Sequence, residues 1–488
     1  MTSTPSQDSL LRPTLRPTRR DLLATAGLAC AAFALHRPAS AQSATVLTPD
    51  GFRILRAKTG TARLRGEGQP ETGIWGYDGI APGPLLRIKR GEELKVRLTN
   101  DLSEPTLVHW HGVRVPNAMD GVPYLTQEPI GSGKSFDYRF KPPDAGTFWY
   151  HAHFNQAQQV ARGLYGPLIV DEPEPVGVDQ DIVLVFSDWR LKPDGGIDEA
   201  SFGSALDAAY NGRIGEHLTV NSRPMMDIPV RRGERIRFRS INAANARILG
   251  VRFEGHSARV MAIDSQPAEP FDARDSRVVL GPGNRADVFV DMILDLGAES
   301  TVFVDTDTAS VPIAKLRYDT QASTPHKADE PRPLPANPLP ARMDFAHALR
   351  VDVPLAGTDV HDAPPANARP PAGHGMTNGS KAIWTMAGKA GTGHDGPPLF
   401  KAKRGRTVML AFTNRSKFFH AMHTHGHHFR LLDSLDDGWK PFWLDTVLVP
   451  PDTTVRIAFV ADNPGKWMLH CHRLEHSESG MAAWFEVA

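Results

Sequence analysis

LLRIKRGEELKVRLTN, residues 85–100, carries a basic pair before a glycine and then alternates apolar and polar side chains up to an asparagine. Alternation with a period of two marks a strand with one face in a core. The same phrase returns as IPVRRGERIRFRSIN (228–242) and PLFKAKRGRTVMLAFTN (398–414). Each copy has an apolar start, a basic residue before glycine and a strand ending at Asn. Gly91, Gly233 and Gly405 lie roughly 140 to 170 residues apart. That spacing suits a β-sandwich domain and is far too long for a solenoid repeat. The chain therefore reads as all-β, with three β-sandwich domains.

Boundaries follow from composition. The first sandwich covers 44–173 and closes at the Pro/Glu-rich EPEPVG; the second covers 180–318. A Pro-rich connection, 319–380, leads to the third, 381–488, which resumes near Trp384. Within the connection, about 345–355 alternates as a strand does, and the remainder reads as linker or surface loop. The 42 glycines and 41 prolines are dispersed between short Val/Ile/Thr/Phe runs, as strands joined by turns require. Basic and acidic residues balance at 55 each, with no long run of one sign. This argues against nucleic acid or an anionic membrane as a partner.

The N-terminus reads as an address. Thr18-Arg19-Arg20-Asp21-Leu22-Leu23 opens an apolar segment from Leu22 to Leu35, too short for a stable membrane span. Ala39-Ser40-Ala41 follows as a small-residue cleavage site. Residues 1–41 are expected to be a signal peptide whose paired arginines address the twin-arginine export machinery, with the periplasm as destination. An ordinary secretory signal and lipid attachment at Cys30 are the alternatives. Once Cys30 leaves with the signal, Cys471 is the one remaining cysteine and no internal disulfide can form. Cys471 is then a buried small hydrophobe, a nucleophile or a metal ligand.

Half of the 20 histidines fall in four clusters: His109-Trp-His111, His151-Ala-His153, His420-Ala-Met-His423-Thr-His425, and HCHRLEHSESGM at 470–481. In a strand, residues i and i+2 share a face. His109/His111, His151/His153, His423/His425 and His470/His472 are thus four pairs, each aimed at one side. Eight such imidazoles suit a borderline transition metal, copper above all. Between His470 and His472, Cys471 must point the other way, toward His476, His420 and the more distant Met481. Two imidazoles, a thiolate and a weak thioether make a blue-copper electron-transfer set.

In these four motifs, taken in order, the chain from about residue 46 onward resembles the multicopper oxidases, the family of laccases, ascorbate oxidase, ceruloplasmin and bacterial copper-tolerance oxidases. The resemblance implies cupredoxin-like Greek-key sandwiches and four copper ions: one type 1, one type 2 and two type 3. It implies that His420, Cys471 and His476 bind the type 1 copper, with Met481 axial. His109 and His423 would hold the type 2 copper; His111, His151 and His472 one type 3 copper; His153, His425 and His470 the other. His427 and His428 have no ligand role in the family and are expected beside the site or at the surface. Asp120, after the first motif, matches an acid that feeds protons to the trinuclear cluster. Many bacterial members carry Glu directly after the last type 1 histidine; here it is Ser477, and Glu478 is expected to face elsewhere. A sulfur axial ligand implies a low-to-middle type 1 potential.

By the same resemblance the chain is expected to be a laccase-like oxidase of phenols and aromatic amines, monomeric, with O2 as acceptor and His476 as the edge where electrons enter. The alternative is a periplasmic cuprous oxidase, with Cu(I) as reductant. Those enzymes carry a Met-rich insertion, and an acid and a methionine where Ser416 and Phe418 stand here. His361, His374, Met376 and His394 could bind copper but read more simply as loop residues. A third reading, a copper-free structural or cell-division protein of the same fold, is disfavoured because every ligand is present.

Overall fold

The structure is a computed structural model describing residues 47–325, 329–340, 342–357, 383–432 and 442–488. The expected signal peptide, with Cys30, and His361, His374 and Met376 lie outside the described residues. The three repeated stretches form the strands Leu94–Asn100, Arg235–Asn242 and Thr407–Asn414. Each occupies the same place in its sheet. It runs parallel to an opening strand (Arg53–Ala62, Gln180–Trp189 or Leu349–Gly357). On its other side it runs antiparallel to Ser135–Phe140, Arg285–Asp291 or Thr454–Val460.

The closing asparagine has a physical reason. Asn100, Asn242 and Asn414 each donate their side-chain amide to one carbonyl of the following loop (Glu104, Arg247, Phe418) and to a second, distant one (Ile130, Leu280, Val449). Each also accepts, through Oδ1, the N–H of the residue two places on. One short side chain thus satisfies a buried strand end that would otherwise leave polar groups orphaned.

Six sheets result, two per sandwich. The sheet containing Leu349–Gly357 shows that the third sandwich takes in part of the stretch read from sequence as connection. Its alternating Leu349, Val351, Val353 and Leu355 pair in parallel with the Thr407–Asn414 strand, as the opening strand does in the other two sandwiches. One apolar cluster runs through the first and third sandwiches together, while another fills the middle one. The histidine motifs sit on the sheets that meet there: Val108–His111 with Gly146–Ala152, and His420–Thr424 with Gly465–Cys471. Among the described residues no helix is long and apolar enough to cross a membrane.

Candidate metal centre

Two donor sets emerge, separated by the thickness of one strand. Gly465–Cys471 pairs antiparallel with His420–Thr424, so that Met422 faces Cys471 and His423 faces His470. Alternation then sends Cys471 to the side opposite its flanking histidines. The short helix Leu474–Glu478 brings His476 back to it. Cys471 Sγ lies 3.7 Å from His420 Nδ1 and 4.0 Å from His476 Nδ1, and the two nitrogens are 3.2 Å apart. An ion with bonds of about 2 Å fits inside that triangle.

The outer ring nitrogens are already committed. His420 Nε2 meets Ser416 Oγ at 2.9 Å, and His476 Nε2 donates to Tyr210 O at 2.7 Å. Such partners fix the tautomer and leave Nδ1 as a lone pair toward the centre. Met481 is fully buried, and its backbone bonds to both Cys471 and His476. Burial pushes the Cys471 thiol up to about 11 and holds His420 down at about 3. Uncharged imidazoles and a thiol await a cation that can draw off the proton. His476, expected as the edge where electrons enter, does not itself reach the surface. His476 has 0% exposure, because the chain of the middle sandwich at Tyr210 covers it.

The eight paired histidines converge between the first and third sandwiches. His109 stacks on His425 and His111 on His423, each with ring centroids 3.8 Å apart. The structure groups His111, His151 and His472, then His153, His425 and His470, then His109, His111 and His423. In each group the candidate ligand atoms lie within 4.8 Å of one another. Main-chain carbonyls hold Nδ1 of His109, His151, His423 and His470. The Nε2 atoms of His109, His151, His153 and His423 are buried without any hydrogen-bond partner, as are both ring nitrogens of His472. Orphaned buried nitrogens cost free energy unless a ligand meets them, and a metal ion is the ligand this donor set suits. Burial first, and neighbouring imidazoles second, keep His111, His151, His153, His425, His470 and His472 well below the ordinary histidine range.

Asp120 is fully buried at the same place: Oδ2 accepts from His425 Nδ1 at 2.9 Å and Oδ1 lies 3.3 Å from His109 Nδ1. It is brought there by Gly121, whose φ of +73° and 1.8 Å approach of a would-be Cβ to Val108 O exclude any side chain.

The middle sandwich supplies no ligand, yet it reaches the cluster. Arg285, fully buried, donates Nη2 to Asp445 Oδ2 at 2.6 Å, and Asp445 Oδ1 lies 3.2 Å from His111 Nε2. Arg285 holds the Asp445 carboxyl well below the usual carboxylate range, overcoming burial. Gly283, at φ +89°, lets the backbone come against His111 and His472, where a Cβ would sit 3.0 Å from both rings. Neither Arg285 nor Asp445 was legible as functional: no local motif marks them, and their partners are far away in sequence.

Other candidates resolve differently. Ser477 Oγ lies 3.3 Å from His470 Nδ1 and 3.0 Å from Gln156 Nε2, while Glu478 accepts the Ala157 N–H. His427 packs among Phe459, Trp467 and Phe485, and His428 Nε2 lies 3.4 Å from Asp445 Oδ2. Both are buried, so the surface alternative for them is corrected. His394 pairs with its neighbour Asp395 and faces Tyr124, apart from either donor set.

Models of multicopper oxidase domains match residues 58–175, 180–299 and 365–488. The multicopper oxidase MmcO of Mycobacterium tuberculosis is 30% identical, over 93% of this chain and 92% of its own. Among solved structures, a multicopper oxidase from Pseudomonas thermotolerans shares 34% identity and superposes with a TM-score of 0.77, covering 89% of this chain and 98% of its own. A laccase-like multicopper oxidase from Ochrobactrum sp., described as active towards lignin model compounds and lignosulfonate, shares 26% with a TM-score of 0.74, over 90% and 98% of the two chains.

Proposed function

The chain belongs to the multicopper oxidase family, a copper-dependent oxidoreductase with O2 as acceptor, and from that premise we propose that it is a laccase-like oxidase of phenols and aromatic amines. The observation that carries the reading is the pairing of donor sets. A trigonal His2Cys centre stands back to back with eight converging imidazoles, and Cys471 is joined to His470 and His472 by its own backbone. His420, Cys471 and His476 would hold type 1 copper, with the buried Met481 offering a thioether. His109 and His423 would hold type 2 copper, and the triads of His111, His151, His472 and of His153, His425, His470 the two type 3 ions. When bound, the four coppers supply one-electron oxidation at one centre and four-electron reduction of O2 to water at the other.

The residues do the rest. Ser416 and Tyr210 fix the imidazoles of the thiolate site. Asp120, with Oδ2 on His425 and Oδ1 beside His109 Nδ1, would pass a proton into the cluster. Ser477, bridging Gln156 and His470, stands where other bacterial members use a carboxylate, and offers a hydroxyl in its place.

The aromatic preference is supported by what surrounds the thiolate site. Phe418 stands against Trp384 and Tyr210, and Ser416 gives a neutral hydroxyl where a cuprous oxidase would place an acid. Export to the periplasm by the twin-arginine route, and a monomeric enzyme, complete the proposal. Oxygen uptake by copper-loaded enzyme with a methoxyphenol, an aromatic diamine and chelated Cu(I) tests it. Uptake with the two aromatics is expected; uptake with Cu(I) alone would make it a cuprous oxidase.

A further inference from the structure

The chain that follows the helix Ala205–Ala209 of the middle sandwich is fastened across the thiolate site at several points. Tyr210 O accepts from His476 Nε2 at 2.7 Å. Asn211 accepts Arg473 Nη1 through both its main-chain and its side-chain oxygen, each at 3.1 Å. Ala208 O takes Trp384 Nε1 at 2.6 Å. With this many bonds the segment is a fixed cover, and His476 beneath it has 0% exposure.

Tyr210, by contrast, is 37% exposed. It is the outermost member of an aromatic column. Its ring lies 5.7 Å from that of Phe418, Phe418 lies 6.1 Å from Trp384, and Trp384 lies 4.4 Å from His476. A single residue therefore offers an aromatic face to solvent and a carbonyl to the imidazole of the metal site.

We propose that Tyr210 is the docking and electron-entry residue for aromatic reductants, which stack on its ring and reach His476 through its main-chain carbonyl without touching the imidazole. This rests on the laccase-like reading above and names the surface that reading leaves open. A docked phenol gives up one electron and its phenolic proton and leaves as a phenoxyl radical. The proton goes to solvent; the electron would pass by the Tyr210 carbonyl and the His476 imidazole to the type 1 copper that His420, Cys471 and His476 would hold. Four such events match the four electrons and four protons with which O2 becomes two waters. The tyrosine ring supplies stacking and the carbonyl supplies the path, so no tyrosyl radical is required. A covered imidazole cannot read the outline of its substrate, so selection follows the reductant's potential more than its shape.

Tyr210→Ala keeps the carbonyl and removes the ring; Tyr210→Phe keeps both. In copper-loaded protein, Tyr210→Ala is expected to raise KM for a methoxyphenol about five- to tenfold, the size of one lost aromatic stacking contact. It is also expected to weaken binding of dimethoxybenzene, which has no phenolic proton, by a similar factor in calorimetry. Turnover with hexacyanoferrate(II), the blue absorbance and the type 1 potential should stay at wild-type values, and Tyr210→Phe should match wild type throughout. An unchanged phenol KM in Tyr210→Ala would overturn the proposal. So would a lost blue band or a moved potential, because Tyr210 would then be holding the metal site in shape. Wild-type enzyme that oxidises Cu(I) and no phenol would instead remove the laccase-like reading itself.

Discussion

Ser135, Arg285 and Thr454 occupy one position in three copies of the same strand pair, opposite Thr99, Ile241 and Thr413. In the outer copies the position is a hydroxyl bonded to its neighbour across the sheet, at 3.1 and 3.0 Å. In the middle copy it is an arginine with 0% exposure, holding Asp445 of the third sandwich against His111. A second position repeats the contrast. Arg97 faces Asp137 at the surface of the first sandwich, with side-chain exposures of 32% and 42%. The matching pair in the middle sandwich, Arg239 and Asp287, has exposures of 0% and 1%. The outward face of this strand pair meets water in the first sandwich and meets another sandwich in the middle one. Alternation tells which side chains share a face and leaves open what lies over it. The middle sandwich carries buried ion pairs in place of metal ligands, and one of them, Arg285 with Asp445, braces His111.

The largest effect should come from the histidine-bearing side of this contrast. Cys471→Ser removes the one sulfur of the trigonal set. It should abolish the blue absorbance and cost more than about a hundredfold in oxidase turnover, beyond what loss of an outer-shell partner causes. Copper analysis should fall by one ion per chain. On the bracing side, Arg285→Met leaves Asp445 buried without its cation. Removing one partner of a buried pair costs about 3–5 kcal/mol, and losing the support of a ligand costs about 10- to 100-fold in metal affinity. Thermal unfolding and copper content should both drop while the blue band persists. A variant with full copper content would show that the middle sandwich is mere scaffold.

Arg237→Met separates bracing from stability. Arg237 pairs with Glu172 and Asp287 and touches no histidine. It should also cost about 3–5 kcal/mol, with copper content unchanged in the folded fraction. Arg97→Met, at the surface, should cost about 1 kcal/mol or less. Equal losses in denaturant melts would erase the distinction drawn between the two strand pairs.

These contrasts mark how far the sequence could be read. The repeated strand with its closing asparagine was legible because its cause is local: one side chain tying down the next loop. The histidine pairs were legible because a strand's period of two turns spacing directly into direction. Arg285, Asp445 and Tyr210 were not. Each acts across a sandwich boundary, on a partner at least 160 residues away, and nothing in its own neighbourhood signals it. The burial of His476 was missed for the same reason. The strand Leu349–Gly357 was half legible: its alternation showed, but its Pro-rich flanks suggested a linker until its parallel partner was known.

Two buried carboxylates carry the comparison into pH dependence. Asp181 of the middle sandwich is raised by burial, but its bond to Arg239 and the charges of Arg239, Arg237 and Arg87 together lower it below the ordinary value. Its contribution is present above the unfolded pKa and is lost as pH falls through the lower folded one. Glu478 of the third sandwich takes its hydrogen bonds from the main-chain N–H groups of Gln156 and Ala157. Burial, helped by the charge of Glu475, pushes it up to about 7 from an ordinary 4.5. Here the sign reverses. Below about pH 4.5 both folded and unfolded chains hold the proton and stability is complete. Between there and 7 the unfolded chain ionises first, so stability falls, levelling off above 7. Glu478→Gln cannot ionise, so the melting curves of wild type and variant should diverge across that window by about 1–3 kcal/mol. Asp181→Asn should instead differ most from wild type at neutral pH and approach it in acid. Parallel pH profiles for the two variants would mean that both carboxylates feel the same environment, and the division between an arginine-braced carboxylate and one held by main-chain N–H groups would not hold.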